Sequence, residues 1–174
     1  MVKRIYFLIA IVILSSCFFD TKLHDLTMKK TPYFGDELRI DGYYHSNPVL
    51  NDERYIGVAV FYKDGFCIHT WGRPVNQDTL SYIENELLLN DVYIAKIKNA
   101  PAHIGVFQII YPDIQFEVWE YRSDPWCHFG KIVNDTTFII NKKKDRTGKT
   151  YSVNLTYRFQ QFSQKPDSTN NFLK

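Results

Sequence analysis

The 174-residue chain contains no apolar run long enough to cross a bilayer as a helix, which takes about 20 residues. Its longest, from Ile5 to Leu14, stops well short of that. There is no Gly-x-Ser-x-Gly, no phosphate-binding loop and no dinucleotide fingerprint, so the common hydrolase and nucleotide-dependent chemistries have no motif to stand on. No Cys-x-x-Cys is present, which removes the redox dithiol and the zinc ribbon. An excess of one charge is also missing. The chain has 21 basic and 19 acidic residues, and without Lys3 and Arg4 of the N-terminus the balance is 19 against 19. A nucleic-acid partner therefore has no electrostatic support. No internal repeat and no low-complexity tract interrupts the chain.

What is present begins with Met1-Val2-Lys3-Arg4 and the apolar stretch to Leu14. A basic start followed by a short apolar core reads as a secretory signal, residues 1–16, to be set aside in reasoning about the fold. The stretch closes on Leu14-Ser15-Ser16-Cys17, which resembles the lipobox of bacterial lipoproteins. That resemblance implies cleavage before Cys17 and acylation of its thiol, with palmitate among the acyl chains. Residues 17–37 then read as a lipidated N-terminus and tether. The mature chain, 158 residues from Cys17 to Lys174, is the size of one domain. Phe18-Phe19 follow the cysteine, and Asp20 stands alone before Lys22. Surface lipoproteins of the kind this segment resembles usually carry acidic residues soon after the cysteine, so the resemblance implies the periplasmic face of the outer membrane as the expected address.

From residue 38 to 162 the signals are those of strands and turns. Tyr151 to Gln160 alternates strictly, with Tyr151, Val153, Leu155, Tyr157 and Phe159 on one face and polar side chains on the other. Such alternation is a half-buried strand. Other strand runs are Leu38–His45, Tyr55–Tyr62, Phe66–Trp71, Ile104–Ile110, Ile114–Tyr121, His128–Val133 and Thr136–Asn141. Asp64-Gly65 is a strong hairpin signal; counting back from it pairs Val60 with His69 and Phe61 with Ile68. Both faces of that hairpin carry apolar groups, so the inner one stays unassigned. Leu80, Ile83 and Leu87 recur at helical spacing behind Asp78, giving a helix near 79–89 with Asp78 or a Ser81/Glu84 box as its cap. Asp91–Lys98 fits either more helix or a short strand. Lys142–Gly148 reads as a loop, and 163–174 as a polar tail in which Phe172 and Leu173 could dock. Eight short antiparallel strands close most simply into an up-and-down barrel, mainly β with one helical insertion; a two-sheet sandwich is the alternative.

Asp41-Gly42-Tyr43-Tyr44, Phe61-Tyr62-Lys63-Asp64-Gly65, Asn134-Asp135-Thr136-Thr137-Phe138 and Lys165-Pro166-Asp167-Ser168, together with the lipobox, resemble the small lipocalin-like lipoproteins of Bacteroidetes. The resemblance covers most of 38–174. It implies a calycin-type, lipocalin-like barrel and carries over no catalytic residue.

The candidate site residues are few. Cys17 is the lipid attachment point and the membrane its partner. Tyr151, Val153, Leu155, Tyr157 and Phe159 would line a cavity for a small apolar ligand, if the barrel is not packed solid. Cys67 and Cys127 could form a disulfide in an oxidising compartment, or stay as buried thiols. His24, His45, His69, His103 and His128 are scattered without metal-ligand spacing; no metal and no cofactor is expected. His69 and His128 would meet only if Cys67 and Cys127 do. Glu117 and Glu120 have opposite parity on their strand and read as solvated. The expectation is a non-enzymatic, lipid-anchored envelope barrel that binds a small apolar ligand. The alternative is an interaction platform with a filled barrel and a protein partner of unknown identity. A buried titratable cluster beside a cleft would point instead to an enzyme.

Overall fold

The computed structural model describes residues 23–47, 55–74, 78–120 and 124–173. The signal segment and Cys17 lie outside the described residues. Eight strands, β1 (Gly42–Ser46), β2 (Ile56–Phe61), β3 (Phe66–Gly72), β4 (Ile104–Ile110), β5 (Asp113–Glu120), β6 (Asp124–Asn134), β7 (Thr137–Lys144) and β8 (Thr150–Gln161), follow one another around a closed antiparallel barrel. β8 closes the ring on β1, pairing Tyr44 with Phe159 and Ser46 with Tyr157. The up-and-down barrel read from the sequence is the fold found, and closure leaves no unpaired sheet edge.

The β2–β3 hairpin differs by one residue from the counted register. Phe61 faces Cys67, Val60 faces Ile68 and Ala59 faces His69. The connection is a three-residue loop: the Gly65 amide donates to the Tyr62 carbonyl at 3.0 Å, and Gly65 takes φ +85°. A turn followed by a left-handed glycine is the usual three-residue solution. A one-residue change of register exchanges the faces of a whole strand. It places His69 inside the barrel with Ala59, Phe61 and Cys67.

Two cores result, one on each side of the sheet. The interior holds Tyr44, Phe61, Phe107, Phe116, Phe138 and Tyr157 among others. Phe61 and Phe107 lie 4.7 Å apart between ring centres, and Phe138 stacks on Tyr157 at 4.8 Å. Each fully buried side chain of this size contributes about 1.5–3 kcal/mol. Outside, Tyr43, Val58, Val60, Tyr62, Ile68 and Trp119 form a second cluster. The helical insertion covers it, which is why both faces of β2 and β3 are apolar. Helix α1 (Thr79–Tyr82) continues as a π-helical turn, Ile83–Leu88, and α2 (Asp91–Asn99) follows. Asp78 caps the first helix by accepting from the Ser81 amide, and Asn90 caps the second by accepting from Tyr93. The ambiguous stretch from Asp91 is thus helix.

The first and last described segments pack on this frame. Residues 23–41 run down the barrel wall. The Glu117 carboxylate accepts from the Thr27 and Met28 amides at 2.7 Å, and Leu38 is buried in the interior cluster. The tail is not loose. Tyr62 donates to the Pro166 carbonyl at 2.7 Å, and Phe172 and Leu173 pack against the outer cluster.

Candidate functional site

The open end of the barrel, beneath α2, gathers three buried titratable groups. Three strands supply them. His69 comes from β3, Glu120 from the end of β5 and His128 from β6; the histidines are fully buried and Glu120 is 6% exposed. Glu120 points inward because it shares parity with Ile114, Phe116 and Val118. His128 lies across from Phe116 and stacks on its ring at 4.3 Å and 10°.

A fourth member, Lys143, arrives through a bulge. Phe138 and Ile140 point inward, and simple alternation would send Lys142 and Lys144 after them. The ladder shifts between Ile140 and Lys142 on both sides of β7. An extra residue in one strand resets its faces, so Lys143 enters the mouth while Lys142 and Lys144 lie over the outward Phe129 ring. The expected loop 142–148 is therefore shortened to Asp145–Lys149, with all three lysines on the strand.

Glu120 Oε1 lies 3.2 Å from His128 Nε2, 3.5 Å from His69 Nδ1 and 3.4 Å from Lys143 Nζ. His69 Nε2 is 2.9 Å from the Tyr157 hydroxyl. Neither His69 Nδ1 nor either nitrogen of His128 has an aligned hydrogen bond. Burial pushes the Glu120 carboxyl up, but His128, His69 and Lys143 outweigh it and hold it well below the usual carboxylate range. Burial pushes His69 down, and His128 to about 3, so both rings are neutral at pH 7. Desolvation also lowers the ammonium of Lys143. The cluster thus sets one carboxylate beside two neutral imidazoles and the Lys143 amine, which lies over the Trp71 ring at 4.6 Å.

A cavity of about 400 Å³ opens beside this cluster, between α2 and the barrel, so a buried titratable cluster does stand beside a cleft, the arrangement that would point to an enzyme. Trp71, Tyr55, Tyr93 and Ile97 wall it, and Glu120 and His103 reach it. His103 holds φ +77° and bridges the strands on either side of β4, donating to the Trp119 carbonyl at 2.7 Å and accepting from the His69 amide at 2.8 Å. An unfavourable backbone state of this kind persists only where its surroundings over-determine it.

The sequence-predicted residues fall as follows. Tyr151, Val153, Leu155, Tyr157 and Phe159 share the inward face, as their alternation predicts. Leu155 and Tyr157 are buried in the interior core, Val153 and Phe159 pack against it, and Tyr151 sits at the mouth 5.4 Å from Trp126. The cavity beside Glu120 is lined by other residues. Cys67 and Cys127 are both free thiols, so the disulfide expectation is corrected. Cys67 belongs to the interior core, whereas Cys127 faces outward beside Glu117 and Thr27. Burial raises both thiols, Cys127 to about 11. His69 and His128 meet although the cysteines do not, their rings 4.8 Å apart. His69, Glu120 and His128 each place a donor atom within 4.8 Å of the others, a set able to hold a metal ion. Glu117 and Glu120 do point to opposite faces, but both are buried rather than solvated. Comparison of the chain with known protein families, curated proteins and solved structures found no match in any of the three.

Proposed function

We propose that this chain is a lipid-anchored cell-envelope protein that binds a small, largely apolar ligand at the helix-covered mouth of its barrel. One observation carries the reading: the cavity has aromatic and aliphatic walls with a carboxylate at its edge, the composition of small-molecule sites. The packed interior, with Phe61, Phe107, Phe116 and Tyr157 almost wholly buried, moves the expected ligand from the lumen to the mouth. The course of the N-terminal segment supports a membrane source for it. The carbonyl of His24 accepts from the Trp119 indole at 2.6 Å beside the mouth, and Cys17 precedes Leu23 by six residues, a reach of about 20 Å at most. An anchor at Cys17 would hold the mouth against the bilayer, where Lys142, Lys144, Arg146 and Lys149 suit anionic headgroups.

The test is to recover the mature protein from its own membrane and identify what co-purifies. A fluorescent apolar probe should be displaced by that compound. Ala100→Trp, which fills the cavity from its rim, should weaken probe binding at least about tenfold, a change of roughly 1.4 kcal/mol. Absence of both a co-purifying molecule and probe binding would leave the filled barrel as an interaction platform, a reading that the solid interior favours.

A further inference from the structure

We propose that His69, Glu120 and His128 bind a divalent transition-metal ion of the zinc class, with one coordination position left open towards the cavity. The inference goes beyond the ligand reading and stands without it.

An ion bound tetrahedrally at about 2.0–2.1 Å holds its donor atoms about 3.3–3.4 Å apart. Glu120 Oε1 is already 3.2 Å from His128 Nε2 and 3.5 Å from His69 Nδ1. All three donor atoms lie within 4.8 Å of one another, so a small rotation of one side chain closes the set. Two imidazoles and a carboxylate suit zinc, cobalt, nickel or iron rather than calcium or magnesium. Three protein donors with an open position describe a site that works on something, not a closed structural one.

The surroundings support the same assignment. His69 Nδ1 and His128 Nε2 are buried without an aligned partner, a state that is disfavoured unless something satisfies it. The second nitrogen of His69 is engaged by the Tyr157 hydroxyl at 2.9 Å, the outer contact that orients metal-binding imidazoles. Phe116 fixes the ring plane of His128 by stacking. Each donor stands on a different strand of a closed barrel, so the set is held by rigid elements. Lys143 is the competitor. Its ammonium neutralises the Glu120 oxygen that the ion would use, and the rings of Trp71 and Trp126, at 4.6 and 5.9 Å, offer it an alternative seat.

The experiment uses the mature chain with Cys17→Ser, stripped with a chelator and titrated with Co²⁺. Zn²⁺ affinity is measured by competition with a chromophoric chelator. One ion per chain is expected, with visible d–d bands of a four-coordinate N/O site and no thiolate charge-transfer band. A dissociation constant below about 10 µM is expected. His128→Ala and Glu120→Gln should each abolish the bands, Tyr157→Phe should weaken binding about 10–100-fold, and Lys143→Met should tighten it. Tightening is the response a merely structural ion pair would not give. Melting curves establish that each variant folds. Should His128→Ala not fold, imidazole ¹⁵N shifts of His69 and His128 on adding Zn²⁺ to the unsubstituted chain report the same contact. Binding that is absent, that carries a thiolate band, or that is lost with His24→Gln at the exposed His24–Asp124 pair would overturn the proposal.

Discussion

The Tyr157 hydroxyl reaches His69 because residue 57 has no side chain. A methyl group built on Gly57 would stand 2.3 Å from the Tyr157 oxygen, inside any tolerable contact. Gly57→Ala must therefore push the tyrosine off its 2.9 Å contact with His69. Overpacking of this kind costs about 1–3 kcal/mol. Urea denaturation should show that loss with an unchanged slope, and the loss should shrink when Tyr157→Phe is combined with it. Equal losses in both backgrounds would mean that the space serves something other than the hydroxyl.

Cys67 and Cys127 lie on opposite faces of the sheet, so no bridge joins them. Reductant should leave the melting temperature of the Cys17→Ser chain unchanged. Thiol titration should count two groups once the chain is unfolded, without prior reduction. In the native state Cys67, wholly buried, should label more slowly than Cys127, which is 7% exposed. A single disulfide-linked species would contradict the assignment of faces.

Glu117 ties the N-terminal segment to β5 through the amides of Thr27 and Met28 and the Thr27 hydroxyl. Glu117→Ala strands those donors at a cost of about 1–3 kcal/mol. Hydrogen exchange at Thr27 and Met28 should rise at least tenfold, and trypsin should cut sooner at Lys29 or Lys30. Unchanged exchange would show that Leu23, Leu26 and Tyr33 hold the segment by packing alone.

His45, on the outer face of β1, has its pKa lowered below 6.5 by burial, with a further push from Arg158 on the adjoining β8. The unfolded chain takes a proton at this histidine below about pH 6.5, while the folded chain resists it. Its contribution to stability is therefore complete above pH 6.5 and is lost as pH falls through the lowered folded value. His45→Gln should make the stability of the protein fall less steeply between about pH 6.5 and 5. A slope identical to that of the unsubstituted chain would place His45 in a solvated setting.

Some of this was legible in the residues themselves. The alternation of Tyr151 to Gln160, the helical spacing behind Asp78 and the turn residues between β runs predicted strands, insertion and barrel, because local periodicity and turn chemistry act within a few residues. The inward direction of Glu120 was legible too: it follows Ile114, Phe116 and Val118 at a spacing of two, and only its charge argued against the face its parity assigns. Three things were decided by tertiary structure. The one-residue register of β2 against β3, which turns His69 inward, depends on how Gly65 closes its loop. The bulge in β7, which turns Lys143 inward, leaves no periodic trace, since three consecutive lysines look alike in any register. The meeting of His69, Glu120 and His128 depends on the order of strands around a closed ring, which brings β3 close to strands that follow it much later in the chain. Hydrophobic period is a property of one strand; a polar cluster is a property of several, and only closure of the sheet brings it into being.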